Sequence, residues 1–396
     1  MEKICDLHIH SQYSGGTSTQ ININKIAQNS NIKGIDIIGT GDCFHPLWLE
    51  ELQENLCEYS NGMFFLPKIP RVKFILQSEV ELMWTQNSQI KKVHFIVLVP
   101  NFDKLKEIYE YIINFGNLKI DGRPVLNISA EKFILKMNNI DDMIEVIPAH
   151  IFTPFYGILG SKLHFNSLKE AIGQGKNYIH AIETGLSADP SMIRQLSELN
   201  NLSIISNSDS HSLNFHRLGR EATALELNKI DYHNVIESIR KKKVTKTYEF
   251  NPSEGKYYYD GHRSDRHSSG KDYFCSPKRN LINCPVCGNM LTKGVLSRVY
   301  ELKDQEIPVI ENFQYIIPLL HLIATVYGGS EYSEYNVSLY RDIVNTYDGE
   351  FNIWNKESVF EEVPFELSKA IEKVKSGKYW FIPGHDGVYG DLQFEG

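Results

Sequence analysis

Residues 3–10 read KICDLHIH, an apolar strand-like run that ends on His8 and His10. Two positions apart on a strand, both imidazoles point to one face. The pattern returns along the chain. GIDIIGTGDCFH (34–45) ends on Asp42 and His45, and KFILQSEVE (73–81) carries Glu79. VHFIVLVP (93–100) has His94 at its start, EVIPAH (145–150) ends on His150, and LSIISNSDSH (202–211) ends on Asp209 and His211. A lone histidine in a strand is ordinarily a packed core or surface residue, but six strand-end coincidences are not ordinary. Parallel strands gather their ends at one rim, where loops build active sites. Ligands scattered from residue 8 to residue 211 are therefore expected to meet in one cluster. Histidine with aspartate and glutamate suits divalent zinc, manganese or magnesium.

Between these runs lie helical patterns. DKLKEIYEYIINF (103–115) has apolar residues at helical spacing with Asp103 as its N-cap, and SAEKFILKM starts on a second candidate cap, Ser129. DYHNVIESIRKKK (231–243) ends in cations that complement a helix C-terminus. Alternating strand and helix predicts an α/β fold with parallel strands over residues 1–250. The character changes at 251–283, which is rich in Tyr, Gly, Ser, Asp and charge, and a domain boundary is expected near Asn251. Residues 299–396 read as mostly helical.

The 396 residues allow two or three domains, and 42% hydrophobic with 23% charged residues is ordinary for a globular protein. No apolar run is long enough to span a membrane, and MEKICDLHIH lacks a signal peptide's apolar stretch, so a cytoplasmic location is expected. A cytosolic chain with six cysteines does not imply disulfides. The net charge of −8 does not advertise a nucleic-acid binder, although local basic patches can carry phosphate contacts.

CPVCG places Cys284 and Cys287 at the spacing of a zinc knuckle. A structural zinc needs two more ligands, for which Cys275 and either His262 or His267 are the candidates. Lys271, Lys278, Arg279, Lys293 and Arg298 give this segment local positive charge. RKKKVTK (240–246) is either a solvated helix end or a DNA-backbone contact.

DLHIHSQYS, GTGD, the Glu79 strand, VHFIVLVP, PAHIFTP and SNSDSH resemble the successive motifs of the PHP (polymerase and histidinol phosphatase) superfamily. That resemblance implies a distorted (β/α)7 barrel cleaving phosphoesters with two or three divalent ions. By motif position it puts His8, His10, Glu79 and Asp209, the expected catalytic set, on one ion, and Glu79, His94 and His150 on a second. Asp42, His45 and His211 fall near a third. The chain departs from the family pattern at Gly15-Gly16 and at Cys43, with His45 standing in two residues on. Longer stretches are more specific. PAHIFTPFYGILGSKLHFNSLKEAIG, AIETGLSADPSM, SNSDSHSLNFHRLGREAT, CPVCGNMLTKGVLSRVYEL and PGHDGVYG resemble endonuclease Q and its bacterial relatives, with His385 where relatives often have Tyr. This implies a DNA repair endonuclease that nicks 5′ to deaminated bases (uracil, hypoxanthine, xanthine) or abasic sites. The ends it leaves would be 3′-hydroxyl and 5′-phosphate. It also implies the order PHP domain (1–250), zinc-binding module (251–298), helical C-terminal domain (299–396).

Such an enzyme reads a base taken out of the stack, which calls for aromatic faces and a few polar groups near the metals. Phe152, Phe155 and Tyr156 follow His150, Phe44 adjoins His45, and Ser187 lies on a nearby loop; packing or a turn is the competing reading. Lys162, Arg217 and Arg220 are candidate phosphate contacts, against surface charge or local ion pairs. The remaining histidines, at 164, 180, 216, 233, 321 and 385, read as packing or surface residues. Two other functions share parts of this pattern. A PHP phosphatase of small phosphomonoesters would have the same metals but no use for the zinc module and helical domain. A non-catalytic nucleic-acid-binding protein would have a degenerate site. A clamp or another repair factor is a conceivable partner; oligomeric state and preferred lesion are not legible.

Overall fold

The computed structural model describes residues 1–163, 165–267, 270–306, 311–357 and 362–395. His164 lies outside them. The strand Glu2–Asp6 pairs in parallel with Ile37–Gly39, which pairs in parallel with the long strand Ile69–Gln86. The expected parallel order then breaks. The chain turns at Asn87 and Ser88, both at positive φ, and returns antiparallel as Gln89–Val99. Two-residue hairpin turns favour this left-handed backbone, whereas a parallel return needs a crossover. Glu145–Pro148 pairs antiparallel with the returning strand, and Ala181–Glu183 pairs in parallel with Ser203–Ile205. Single hydrogen bonds link these pieces: Ile151 N donates to Glu183 O at 3.1 Å, and His10 N to Ser210 O at 3.1 Å. On its other side Glu2–Asp6 pairs antiparallel with Ala222–Glu226, which in turn pairs antiparallel with Val244–Glu249.

One apolar cluster takes side chains from every strand of the first series: Cys5 and Leu7, Ile37, Ile75, Ile96 and Leu98, Ile147, Ala181 and Ile205. Ile236 and Ile239, from the helix Tyr232–Arg240, pack on the same cluster. Side chains alternate along a strand, so Glu79 shares a face with Ile75, and His94 with Ile96 and Leu98. Because the Gln89–Val99 strand runs antiparallel, His94 at its middle pairs with Glu81, two residues along from Glu79 and on the same face. That explains why this one ligand opens its run.

The helix expected from Asp103 spans Phe102–Ile112 and is capped instead by Asn101, whose side chain accepts from Lys104 N at 2.9 Å; Asp103 sits in the first turn. Ser129 caps Ala130–Ile140 as expected. The basic run 240–246 is engaged locally: Arg240 donates to Glu145 at 2.7 Å, Lys242 to Asn200 O, and Lys246 to Asn355.

The C-terminal part is mostly helical, with Leu319–Tyr327, Glu334–Thr346, Glu350–Asn355 and Phe365–Lys375 and a final antiparallel pair Tyr379–Ile382 and Asp391–Phe394, but not separate from the main sheet. Phe313–Tyr315 adds a parallel strand to Val244–Glu249. Lys33 and Glu350 form a buried ion pair at 2.7 Å. Breaking such a pair leaves an uncompensated charge, so it pins the two regions together. His385 is packed, with its ring stacked on Phe274. No helix among the described residues is long and apolar enough to cross a membrane.

Candidate metal centre

Asp42, His150 and Asp209 have φ of 43°, 32° and 46°. Non-glycine residues rarely occupy this left-handed region, and its cost is tolerated where function over-determines the geometry. Each lies just past a strand end, where the sharp turn aims the side chain across the rim.

Ligand atoms of His8, His10, Glu79 and Asp209 lie within 4.8 Å of one another, as do those of Glu79, His94 and His150. Glu79 belongs to both sets, one oxygen to each. Its Oε2 is 3.3 Å from His10 Nε2 and 3.7 Å from His8 Nε2; its Oε1 is 2.8 Å from His94 Nδ1 and 3.1 Å from His150 Nε2. His8 Nε2 is buried with no hydrogen-bond partner, and the nitrogens of His94 and His150 face each other at 3.2 Å. Burying lone pairs this way is costly unless a cation receives them. The donor set fits two divalent ions bridged by a carboxylate. Burial opposes charge on His8, yet Glu183, Asp209 and Glu79 hold it well above its ordinary range. Glu79, despite burial, is held well below the usual carboxylate range by His94 and His8.

Behind the ligands stand carboxylates. His8 Nδ1 faces Glu183 Oε1 at 3.0 Å, and Glu183 also accepts from His150 N and Asn207 Nδ2, each at 2.8 Å. His10 Nδ1 faces Asp42 Oδ1 at 3.1 Å, and His94 Nε2 faces Glu81 Oε2 at 3.4 Å. A carboxylate on the far ring nitrogen fixes the tautomer and raises ligand basicity. Glu183 and Glu81 were missed in the sequence reading, although AIETG ends its strand on a carboxylate in the same manner as the recognised runs. Glu183→Gln should weaken metal binding about 10–100-fold. Titration of the metal-free protein with manganese, followed by electron paramagnetic resonance, checks this; a change under about threefold would remove Glu183 from that role.

The third set does not assemble. Asp42 Oδ2 is already taken by Ser11 N, Ser11 Oγ and Ser14 Oγ at 2.6–2.8 Å, so Asp42 buttresses His10. His45 stacks on Tyr13 and its Nε2 is 3.4 Å from Lys119 O. His211 lies over the His10 ring, with Nδ1 bonded to Asp209 O. Among the described residues these three form no metal-sized cluster.

A cleft of about 260 Å³ opens beside the centre, lined by His94, His150 and Asp209 together with Arg123, Tyr156, Ser187, Tyr257 and Tyr389. The Tyr156 ring stacks on His94 at 4.3 Å. Ser187 lines the cleft as expected, but Phe152 does not: it is fully buried in the core, as is Phe44. Lys162 lies on another cavity, beside Lys293 and Arg298. Arg217 is off the cleft, with its guanidinium 5.9 Å from the Tyr389 ring. Arg220 is at the cleft, but its Nε donates to Ser208 O at 2.9 Å, bracing the turn before Asp209.

A second cluster unites His262, His267, Cys284 and Cys287. His267 Nε2 is 3.3 Å from Cys284 Sγ, and His262 Nδ1 is 3.5 Å from Cys287 Sγ. Both histidines therefore enter, where one was expected. Cys275 does not: it packs in a small apolar cluster with Cys284 and Leu291, on the strand Tyr273–Cys275. Arg298 is also not free positive surface, because it donates to Leu159 O and Phe165 O.

This mixed α/β fold, with a histidine–carboxylate cluster around a shared glutamate, is that of a PHP-type protein. No family model matches the chain. Over its whole length it is similar to an endonuclease Q solved with a 27-mer duplex substrate carrying an abasic lesion at the active site: 30% identity, TM-score 0.87, covering 97% of that chain. It is likewise similar to the lesion-specific endonuclease PfuEndoQ of Pyrococcus furiosus, at 29% identity and TM-score 0.85 over 96% of that chain. An uncharacterized protein of Methanocaldococcus jannaschii is 29% identical over 302 residues, 73% of this chain but only 36% of that protein's length. The chain belongs to the endonuclease Q family.

Proposed function

We propose that this protein is a metal-dependent DNA repair endonuclease that hydrolyses the phosphodiester 5′ to a deaminated base or abasic site, leaving 3′-hydroxyl and 5′-phosphate ends. The observation that carries the reading is the pair of ligand sets sharing Glu79 at the mouth of a cleft walled by Tyr156, Tyr257 and Tyr389. Divalent ions bound there supply Lewis acidity, acidifying water and offsetting phosphate charge. The chain's own groups do the positioning. Glu183, Asp42 and Glu81 orient His8, His10 and His94. The tyrosines offer faces to a nucleotide that has left the stack, an excursion costing a few kcal/mol and least for a damaged or mispaired base. The solved endonuclease Q complex, with its abasic duplex at the active site, supports a DNA substrate.

The domain reading follows the same course. The apolar cluster drawn from all the strands of the first series supports a distorted barrel over residues 1–250. The His262–His267–Cys284–Cys287 cluster supports a structural zinc in 251–298, and 299–396 forms the helical remainder.

The test uses the purified protein and Asp209→Ala with manganese, magnesium or zinc. The substrates are end-labelled duplexes holding one uracil, hypoxanthine or abasic site, with an undamaged control. The expected result is a nick just 5′ of the lesion, absent from the variant. Intact duplexes alongside turnover of a small phosphomonoester would replace this reading with a phosphatase.

A further inference from the structure

We infer that Arg123 is a catalytic residue of this centre, pairing with a non-bridging oxygen of the scissile phosphate. The inference rests on the nuclease reading above and adds a group that no ligand motif contains. Arg123 lies past the helix Phe102–Ile112, just before the short strand Val125–Leu126. Its loop is held in place: Asp121 Oδ1 accepts Arg123 N at 2.9 Å, Asp121 also accepts Gly15 N, and Gly122 N donates to Tyr13 O at 2.9 Å. Gly122 presses on the buttress of the metal centre. A Cβ there would come within 2.3 Å of Asp42 Oδ2 and 2.6 Å of Ser14 Oγ, so only glycine lets the loop this close.

From that anchor the guanidinium reaches the cleft. Its Nη1 donates to Glu79 Oε2 at 3.1 Å, and its side chain is 23% exposed. Among the described residues the rest of its donor fork has no acceptor, and it shares the cleft with His94, His150 and Asp209. A guanidinium whose only role was to neutralise Glu79 would be redundant once ions bind. Ions would neutralise Glu79 without it, and the unused part of the fork opens onto the cleft, where an anion can enter. A phosphodiester is such an anion, and it gains a second negative charge as a water that has given up a proton adds to phosphorus, that proton being balanced by the one the departing 3′ oxygen takes up. The planar fork matches two phosphate oxygens or one oxygen and Glu79. Arg123 donates hydrogen bonds and transfers no proton; the attacking water and departing 3′ oxygen account for the bonds made and broken. Arg220, the other arginine at the cleft, is committed to Ser208 O and Asp209 O.

Arg123→Ala and Arg123→Lys are compared with the unaltered protein in three measurements. Single-turnover nicking of the abasic duplex at saturating manganese should fall about 10²–10³-fold in the alanine variant. The lysine variant and added guanidinium should each restore part of it. Binding of the same duplex in chelator, followed against salt, should lose about one phosphate contact's worth of slope. Bound metal should stay at the unaltered stoichiometry. Nicking within about threefold of the unaltered protein, an unchanged salt slope, or a loss repaired by more manganese would overturn the inference, the last because Arg123 would then merely support Glu79. If the unaltered protein leaves the duplex intact, the nuclease reading has failed, before any variant is compared, and the inference falls with it.

Discussion

Glu79→Gln should lower lesion-directed nicking on the order of 10⁴-fold, as the product of two losses of about 10²-fold each. The reason is the division of labour on this carboxylate. Oε2 faces His8 and His10, and Oε1 faces His94 and His150. An amide of the same shape offers one oxygen and no charge, while its NH₂ presents hydrogens where an ion must sit. Each ligand set would therefore lose either an oxygen or its negative charge. The change should remove metal as well as activity, so atomic emission on the purified variant should find at most one of the two ions that the proposed centre would hold. Circular dichroism should report an intact fold, because side-chain volume is conserved in a fully buried position. A variant that keeps both ions and nicks within tenfold of the unaltered protein would dismiss Glu79 as the bridge.

Much of this centre was visible in the chain because metal ligation uses few residue types and strand ends repeat them. His8, His10, Glu79, His94, His150 and Asp209 come together as two sets that share Glu79. Less visible was which carboxylate faces a metal and which faces an imidazole. Asp42 occupies a motif position, yet its second oxygen is consumed by Ser11 and Ser14, so it holds His10 in place. Glu183 and Glu81 act at the same remove, and spacing alone does not separate such residues from ligands. Parallel order failed at Asn87-Ser88 because β-branched content marks a strand but not its direction, and the turn that reverses it is two polar residues long. Phe152 shows the same limit for side chains: it adjoins the His150 motif in sequence but faces the core, whereas Tyr156, at the far side of the turn, stacks on His94. Arg123 left no periodic signal, since loops are placed by tertiary contacts such as the Gly122 approach.

Cys284→Ser should release one equivalent of zinc and unfold the segment around it, the largest stability effect expected in this chain. Around the cysteines the apolar core is small: Cys275, Cys284 and Leu291 form it, while Ile282 and Met290 are more than 70% exposed. So little buried surface cannot offset the ordering of this loop-rich segment, and ligation has to supply the difference. Structural zinc binding is worth about 10–16 kcal/mol in small domains, far more than this core. The two histidines are already oriented for it, with His262 Nε2 on Met290 O and His267 Nδ1 on Lys271 O, each at 2.6 Å, which leaves the other nitrogen of each ring to the thiols. Zinc content and limited proteolysis between residues 251 and 298 read the outcome directly. Cys275→Ala serves as the comparison: it deletes a packed thiol and should keep its zinc, while Cys284→Ser should not. Equal zinc in both variants would reject the four-ligand site. Loss from Cys275→Ala as well as from Cys284→Ser would restore the three-cysteine alternative. Because Ser161 Oγ and Arg298 join this segment to the main domain through Lys293 O, Leu159 O and Phe165 O, its collapse should also loosen the cavity that Lys162 lines while leaving the metal centre's ligands in place.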